Sequence, residues 1–433
     1  MRKSGFTLIE LMVAMVVGLT AITSVYSLGA AMSEQFYEEQ RTATSQGSSR
    51  AAVMELRRDI SRAGLFGSPN ARSERRCETG LAAQPSLPTF DGGPITMGAF
   101  QYYRDADIAV LGGNNPGVRA DRLRVLTSLY LTDQLLIDSV TPDGTTIILQ
   151  TGNQAYRRTF AWGQEEGPFT GSAPNYLVGN LLGAGAATTW NGLGQKGARA
   201  FQTSSVLHIE SPEGYHFFRT DVKKAVNVMN QVRLEVKPAL PVATACLPGA
   251  GEGSTVAPLQ WVEYALVNPF DEELGDNFMD FNVLFNFVGT NAVLDPGFVS
   301  GNEGSLREEG NVMLVRRILN AEDGTVRRNT TQVLAEFVSN FEVSFLVDRR
   351  SGTTTAPLAP VIDAETSINN IPEQVRSVLI NLGIRSPLED PSIPFAVNNN
   401  NTRFEVNPLE RGSARVRHIR IEIPVMSVAR RNL

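Results

Sequence analysis

Hydrophobic and polar positions divide the chain into two unlike parts. From Leu11 to Met32, 22 residues, no side chain is charged. As a helix that run is ~33 Å long, enough to cross a bilayer core of ~30 Å. No proline precedes Pro69, and from Ser33 the sequence continues with mixed charge: Glu34, Glu38, Glu39, Arg41, Arg50, Glu55, Arg57, Arg58, Asp59 and Arg62. Apolar Val53, Leu56, Ile60 and Ala63 recur there at three- and four-residue spacing, the stripe of an amphipathic helix that packs on a core. Glu55–Arg58 and Asp59–Arg62 are spaced as helical surface pairs worth a few tenths of a kcal/mol each. The pattern predicts one helix over Phe6–Ala63, with soft points at Gly18, Gly29 and Gly47-Ser48-Ser49, stopped by Gly64 and followed by Pro69.

After residue 64 the period shortens to two. Pro142-Asp143-Gly144 lies between Leu135–Val140 and Thr146–Leu149, and Pro212-Glu213-Gly214 between Val206–Glu210 and Tyr215–Arg219. Glu322-Asp323-Gly324 follows Val312–Leu319. Each reads as a hairpin turn between strands. Further strands are predicted at Asp121–Thr127, Gln260–Val267, Glu336–Val347 and Val375–Ile384. Near the C-terminus Ile419, Ile421, Ile423 and Val425 alternate with His418, Arg420 and Glu422, and Pro424 places the end of that strand at an edge or bulge. Residues 151–200, 241–258, 350–372 and 390–402 read as long loops. The expectation is an α+β fold: a long N-terminal membrane-spanning and stalk helix packed on a large, mainly antiparallel β head. The divisions are 6–32 for the membrane and assembly half of the helix, 33–64 for its amphipathic half, and 65–433 for the head, with a candidate inserted subregion at 151–200.

Composition narrows the classes. The 433 residues are 42% hydrophobic and 19% charged, with net charge −6, an ordinary globular balance that argues against a nucleic-acid binder relying on bulk charge. Three His and two Cys exclude a zinc finger or a multi-disulfide scaffold. Arg2 and Lys3 precede the apolar run and no basic residue follows until Arg41, so residues 1–5 are expected in the cytoplasm and the bulk outside. A secretory signal peptide fits less well, because its apolar core is 7–15 residues and its small-residue site lies behind that core. Glu10 stands near the start of the run, where a carboxylate costs ~2.5–3.5 kcal/mol and needs a reason.

Gly5-Phe6-Thr7-Leu8-Ile9-Glu10-Leu11-Met12-Val13 resembles the class III signal sequence of type IV pilins and type II secretion pseudopilins. The resemblance implies a leader at 1–5, cleavage between Gly5 and Phe6 by prepilin peptidase, and N-methylation of Phe6. It also implies that Glu10 pairs with the Phe6 amine of a neighbouring subunit, each charge offsetting part of the other's desolvation. Three segments resemble PilW-type minor pilins: Glu55–Gly67, Leu334–Val343 and Val428–Asn432. On that resemblance the protein is a structural minor pilin rather than an enzyme, and it uses no cofactor. It waits in the bacterial inner membrane with its head in the periplasm. It then joins other minor pilins and the major pilin in assembly or initiation at the cell surface, the machinery of twitching motility. Two rivals share the N-terminal features: a J-like minor pseudopilin of type II secretion, and an anchored enzyme or adhesin, including an adhesin at the pilus tip.

The remaining candidates are weaker. Cys77 and Cys246 form a candidate disulfide in an oxidising periplasm; it would close a loop of about 170 residues and be worth roughly 5 kcal/mol in the chain-entropy account. His208 and His216 flank a turn and are placed to face each other across a hairpin, with His418 elsewhere. Gly192-Leu193-Gly194-Gln195-Lys196-Gly197 fits G-x-G-x-x-G but reads as a glycine-rich loop without a preceding strand. Asp271–Asn277 lacks the spacing of an EF-hand, and no metal site is expected. Arg57, Arg58, Arg62, Arg72, Arg75 and Arg76 read as a solvated neck.

Overall fold

A computed structural model describes residues 8–70, 89–90, 93–94, 98–111, 117–131, 133–160, 201, 205–219, 221–228, 231–237, 240, 250–267, 312–321, 324–327, 330–348, 365–386, 403–405 and 413–425. The chain has an N-terminal helix followed by a large antiparallel β domain, an α+β architecture. It divides into two compact units, Met1–Ala51 and Ala52–Leu433.

The first unit is helical wherever it is described. Helix α1 covers Leu8–Ser61 and so continues into the second unit. It ends as expected. Gly64 takes φ +72°, the left-handed turn that a side chain resists, and its N–H bonds Leu126 O at 2.8 Å. The Thr127 hydroxyl donates to Arg62 O at 2.9 Å, occupying one of the carbonyls a helix end leaves open.

The strands of the second unit, in chain order, are β1 (Thr89–Phe90), β2 (Gly93–Pro94), β3 (Phe100–Tyr103), β4 (Arg122–Thr127), β5 (Leu135–Val140), β6 (Thr146–Leu149), β7 (Val206–Glu210), β8 (His216–Arg219), β9 (Asp221–Val228), β10 (Gln231–Lys237), β11 (Thr255–Val267), β12 (Met313–Leu319), β13 (Gln332–Ala335), β14 (Val338–Val347), β15 (Val375–Arg385), β16 (Arg403–Phe404) and β17 (Ala414–Pro424). Short helices α2 (Gln154–Phe160) and α3 (Glu365–Asn370) fall inside stretches the sequence reads as loop.

β11 is the hub of an 11-stranded sheet. One edge pairs β7 along Thr255–Leu259 and β12 along Trp261–Val267. The other pairs β5 at Thr255–Val256 and β4 along Gln260–Tyr264. Pro258, which cannot donate, sits in the gap between the β5 and β4 ladders. That strand starts five residues before the predicted Gln260, shortening the expected loop at 241–258. A 4-stranded sheet runs β14-β15-β17-β16, and the segment at Ala120 bridges it in parallel to Phe341.

Two cores result. In the first, Leu56, Ile60 and Ala63 of the helix end lie fully buried with Tyr264 of β11 and Phe341 and Ile423 of the small sheet. Phe345 stands edge-on to Phe100 and Tyr102 at 5.9 and 5.2 Å, joining the two sheets. Each such aliphatic side chain contributes ~1.5–3 kcal/mol by burial. The second core gathers Leu135, Ile147, Leu207, Phe217, Leu234 and Val256. It is built from strands β5 to β8, β10 and β11; of the candidate inserted subregion 151–200, residues 161–200 lie outside the described residues.

Candidate assembly segment and the buried charges of the head

Gly5 and Phe6 lie outside the described residues, and Glu10 is in the first turn of α1 as described. The apolar residues that follow are exposed around the whole helix in the single chain: Leu8 78%, Met15 64%, Ile22 70% and Tyr26 79%. A helix that is apolar all round requires lipid or other helices about it. Its hydroxyls fit such surroundings. Thr20 donates to Val17 O, Thr23 to Leu19 O, Ser24 to Thr20 O and Ser27 to Ser24 O, at 2.8–2.9 Å. These four hydroxyl hydrogens are returned to the helix backbone, so they need no water. Among the described residues no helix is long and apolar enough to cross a membrane. The 22-residue uncharged run is continuous only in the sequence, since Leu11, Ala14, Ala30 and Ala31 are outside those whose side chains are described.

Within the second unit the end of α1 is tied to the sheet by charge as well as by its apolar stripe. Asp59, 0% exposed, accepts bonds from Arg316 Nε at 2.6 Å and Tyr264 OH at 2.9 Å, and its other oxygen takes Arg58 Nε at 3.0 Å. This corrects the surface pairing expected between Asp59 and Arg62; the Glu55–Arg58 pair is present. Burial and the adjacent Asp59 carboxylate push the Tyr264 phenol well above its ordinary value. Burial opposes the Arg316 charge, but Asp59 outweighs it and raises its affinity for the proton.

Glu263 neighbours Tyr264 on β11 and so points to the opposite face of the sheet. There it is clamped between Arg124 Nε and Arg317 Nε, both at 2.6 Å. Burial alone would raise its carboxyl; Arg317, Arg124 and Arg122 overcome that and hold it at about 2. Asp107, bonded to Arg122 and to Leu266 N, goes the other way, because burial prevails and raises it. Asp121 is likewise raised by burial. It joins the two sheets, bonding Tyr102 OH at 3.0 Å, Arg119 at 2.9 Å and Val343 N at 2.7 Å. These groups are matched donor to acceptor inside the head, the arrangement of a structural network.

The other sequence candidates fall out as follows. His208 and His216 meet across the β7–β8 hairpin, Nε2 to Nδ1 at 2.9 Å with rings 5.2 Å apart. His418 is elsewhere, on β17, against Asn381. Among the described residues no group of three His, Cys, Asp or Glu side chains is placed to hold a metal. Cys77, Cys246, the glycine run 192–197, Asp271–Asn277 and Arg72, Arg75 and Arg76 lie outside the described residues.

No curated protein and no solved structure matches the chain. Residues 1–26 match the family model of the prokaryotic N-terminal methylation motif. That motif marks type IV prepilin-like proteins and implies an inner-membrane-anchored N-terminus, processing by prepilin peptidase and interaction with pilus components.

Proposed function

We propose that the chain is a minor pilin of the PilW type, a structural subunit without enzymatic activity that takes part in initiating pilus assembly. The observation that carries this reading is the methylation motif at residues 1–26, which takes in the start of a helix whose large apolar side chains are exposed from Leu8 to Met32. Gly5 and Phe6 are the cleavage junction, Phe6 the methylated residue, and Glu10 the partner of a neighbour's Phe6 amine. The subunit is held in the inner membrane with its head in the periplasm, then joins other minor pilins and the major pilin. The second core supports a place at the tip or in an initiation complex, since a head this large packs poorly along a densely repeating shaft. An adhesive role at the tip is compatible with the same position.

The test is intact and N-terminal peptide mass spectrometry of the protein from its native membrane, with deletion of the gene as a second arm. A chain beginning at methylated Phe6, and a deletion strain that loses surface pili while secretion continues, are the expected results. Loss of secretion with pili intact would replace the reading by a J-like pseudopilin. A chain that keeps Met1–Gly5 in the presence of active peptidase, or one cut beyond Met32, would end the assembly reading altogether.

A further inference from the structure

We propose that His208 and His216 form an acid-sensitive latch that holds the turn leaving α1 against the β7–β8 hairpin. His208 Nδ1 lies 2.7 Å from Phe66 O, and a carbonyl can only accept, so that nitrogen carries its hydrogen. His208 Nε2 lies 2.9 Å from His216 Nδ1, which leaves room for one hydrogen between the rings. A first added proton then goes to His216 Nε2. The folded pair is therefore neutral or singly charged, whatever that last nitrogen meets. A second added proton has to break either the bond between the rings or the bond to Phe66.

Both bonds matter to the helix exit. Phe66 takes φ +59°, a left-handed conformation that a bulky side chain resists. His208 is the side chain holding that residue's carbonyl, and it is itself buried at 1% exposure, stacked on Phe218 at 4.9 Å. Gly67, next in the chain, is packed so closely that an added Cβ would stand 2.7 Å from Leu259 Cδ1 of β11. The latch thus joins the end of α1 to the strand that borders the second core.

Among the residues whose side chains are described, the charged groups on the packed elements do not supply the missing capacity; β9, which also lies against β7, carries Asp221, Lys223 and Lys224. Glu210 stands opposite His216 in the hairpin register and favours the first proton, which the pair already accepts. Glu213 is in the exposed turn, Arg219 alternates to the other face opposite Leu207, and Arg62 is exposed at the end of α1. The paired stretch of β11, Thr255–Leu259, presents no charge. An unfolded chain binds the second proton with an ordinary imidazole value of about 6.5. The folded pair excludes it, so the stability tied to the latch is complete above that value and is lost as pH falls below it, by up to tenfold in the opening equilibrium per pH unit.

The test uses the full chain in detergent. Hydrogen exchange is followed from pH 7.5 to 5.0, corrected for intrinsic rate, at Gly67 and along Val206–Glu210. The expected result is protection that falls several-fold to tenfold between pH 6 and 5 in the wild type and stays level in the double variant His208→Phe with His216→Phe, whose rings keep the stack but take no proton. Equal pH dependence in both proteins, or level protection in the wild type, would overturn the latch. Should the double variant fail to fold, NMR of the wild type with labelled imidazole Cε1 decides alone, because the chain has only three His. One ring of the pair failing to titrate above pH 5 supports the latch, and both titrating independently near 6.5 sinks it.

Discussion

Asp59 of α1 accepts a hydrogen bond from Arg316 of β12 at 2.6 Å across 257 residues of chain, with the carboxylate fully buried. The apolar stripe of Leu56, Ile60 and Ala63 is non-directional and would tolerate some sliding of the helix on the sheet. A charge-assisted bond to a planar guanidinium fixes position along the axis and rotation about it. Tyr264 OH, at 2.9 Å from the same oxygen, adds a second constraint from β11.

Asp59→Ala leaves Arg316 buried without this partner, a loss expected to cost ~3–5 kcal/mol. Arg58→Ala, which removes the bonds of a 46% exposed arginine to Glu55 and to the outer oxygen of Asp59, should cost only about 1 kcal/mol. Urea unfolding of the full chain in detergent, read from tryptophan fluorescence, compares the two. Asp59→Leu combined with Arg316→Met should recover much of the loss, since the pair is then replaced by apolar packing. If Asp59→Ala cost no more than Arg58→Ala, the helix would be held by its stripe alone.

Acid should act on the head through Glu263 in a window distinct from that of the histidines. Its carboxyl is held at about 2, far below its ordinary range. Its contribution to stability is therefore present above about pH 4.5 and is lost as pH falls toward 2; over two and a half units that amounts to roughly 3 kcal/mol. Asp107 and Asp121, raised by burial, have the opposite sign: their contribution is present in acid and fades as pH rises through their folded values. Glu263→Gln should thus be destabilised most at neutral pH, with its difference from wild type shrinking between pH 4.5 and 2.5. A constant difference across that range would mean that Arg124 and Arg317 do not depress the carboxyl.

Gly383 of β15 has no room for a side chain. An added Cβ would stand 2.9 Å from Asn340 Cβ, 3.0 Å from His418 Cε1 and 3.1 Å from Ser339 Oγ. Asn340 cannot move aside cheaply, because its amide bonds Arg119 N at 2.8 Å and Asn381 O at 2.9 Å. Gly383→Ala is expected to cost ~1–3 kcal/mol by overpacking, measured by the same urea unfolding. An unchanged midpoint would show that β14 and β17 can separate locally without loss.

The helix and its stop were legible because they are local: a three- and four-residue apolar period, then Gly64. The β5–β6 and β7–β8 hairpins were legible because Gly144 and Gly214 take φ +71° and +76° in their turns. The β9–β10 hairpin was missed, since Met229-Asn230 joins its strands without Gly or Pro, although Val232, Leu234 and Val236 alternate. β14 starts at Val338 rather than the predicted Glu336, because Phe337 turns the chain at φ +56° after β13. Asp59 was assigned to the surface from its spacing to Arg62. The better signal was its place on the stripe, three residues after Leu56 and four before Ala63, which aims it into the core. No local pattern could name Arg316 as its partner, or bring Asp121 to Val343. The motif at Gly5, Phe6 and Glu10 was readable because its information is entirely in the sequence.

Glu10 gives the final prediction, since its two proposed roles pull in opposite directions. As a charge in an apolar helix it opposes insertion by ~2.5–3.5 kcal/mol, so Glu10→Ala should enter the membrane at least as well as wild type. As the partner of a neighbour's Phe6 amine it favours assembly, so the same variant should leave that amine buried and uncompensated. Cleavage between Gly5 and Phe6 should be unaffected, which mass spectrometry of the N-terminal peptide checks. The amount recovered in sheared filaments, relative to the inner membrane, should fall tenfold or more. Processing intact and assembly lost places Glu10 at the contact between subunits; normal recovery in filaments would leave its charge without a function.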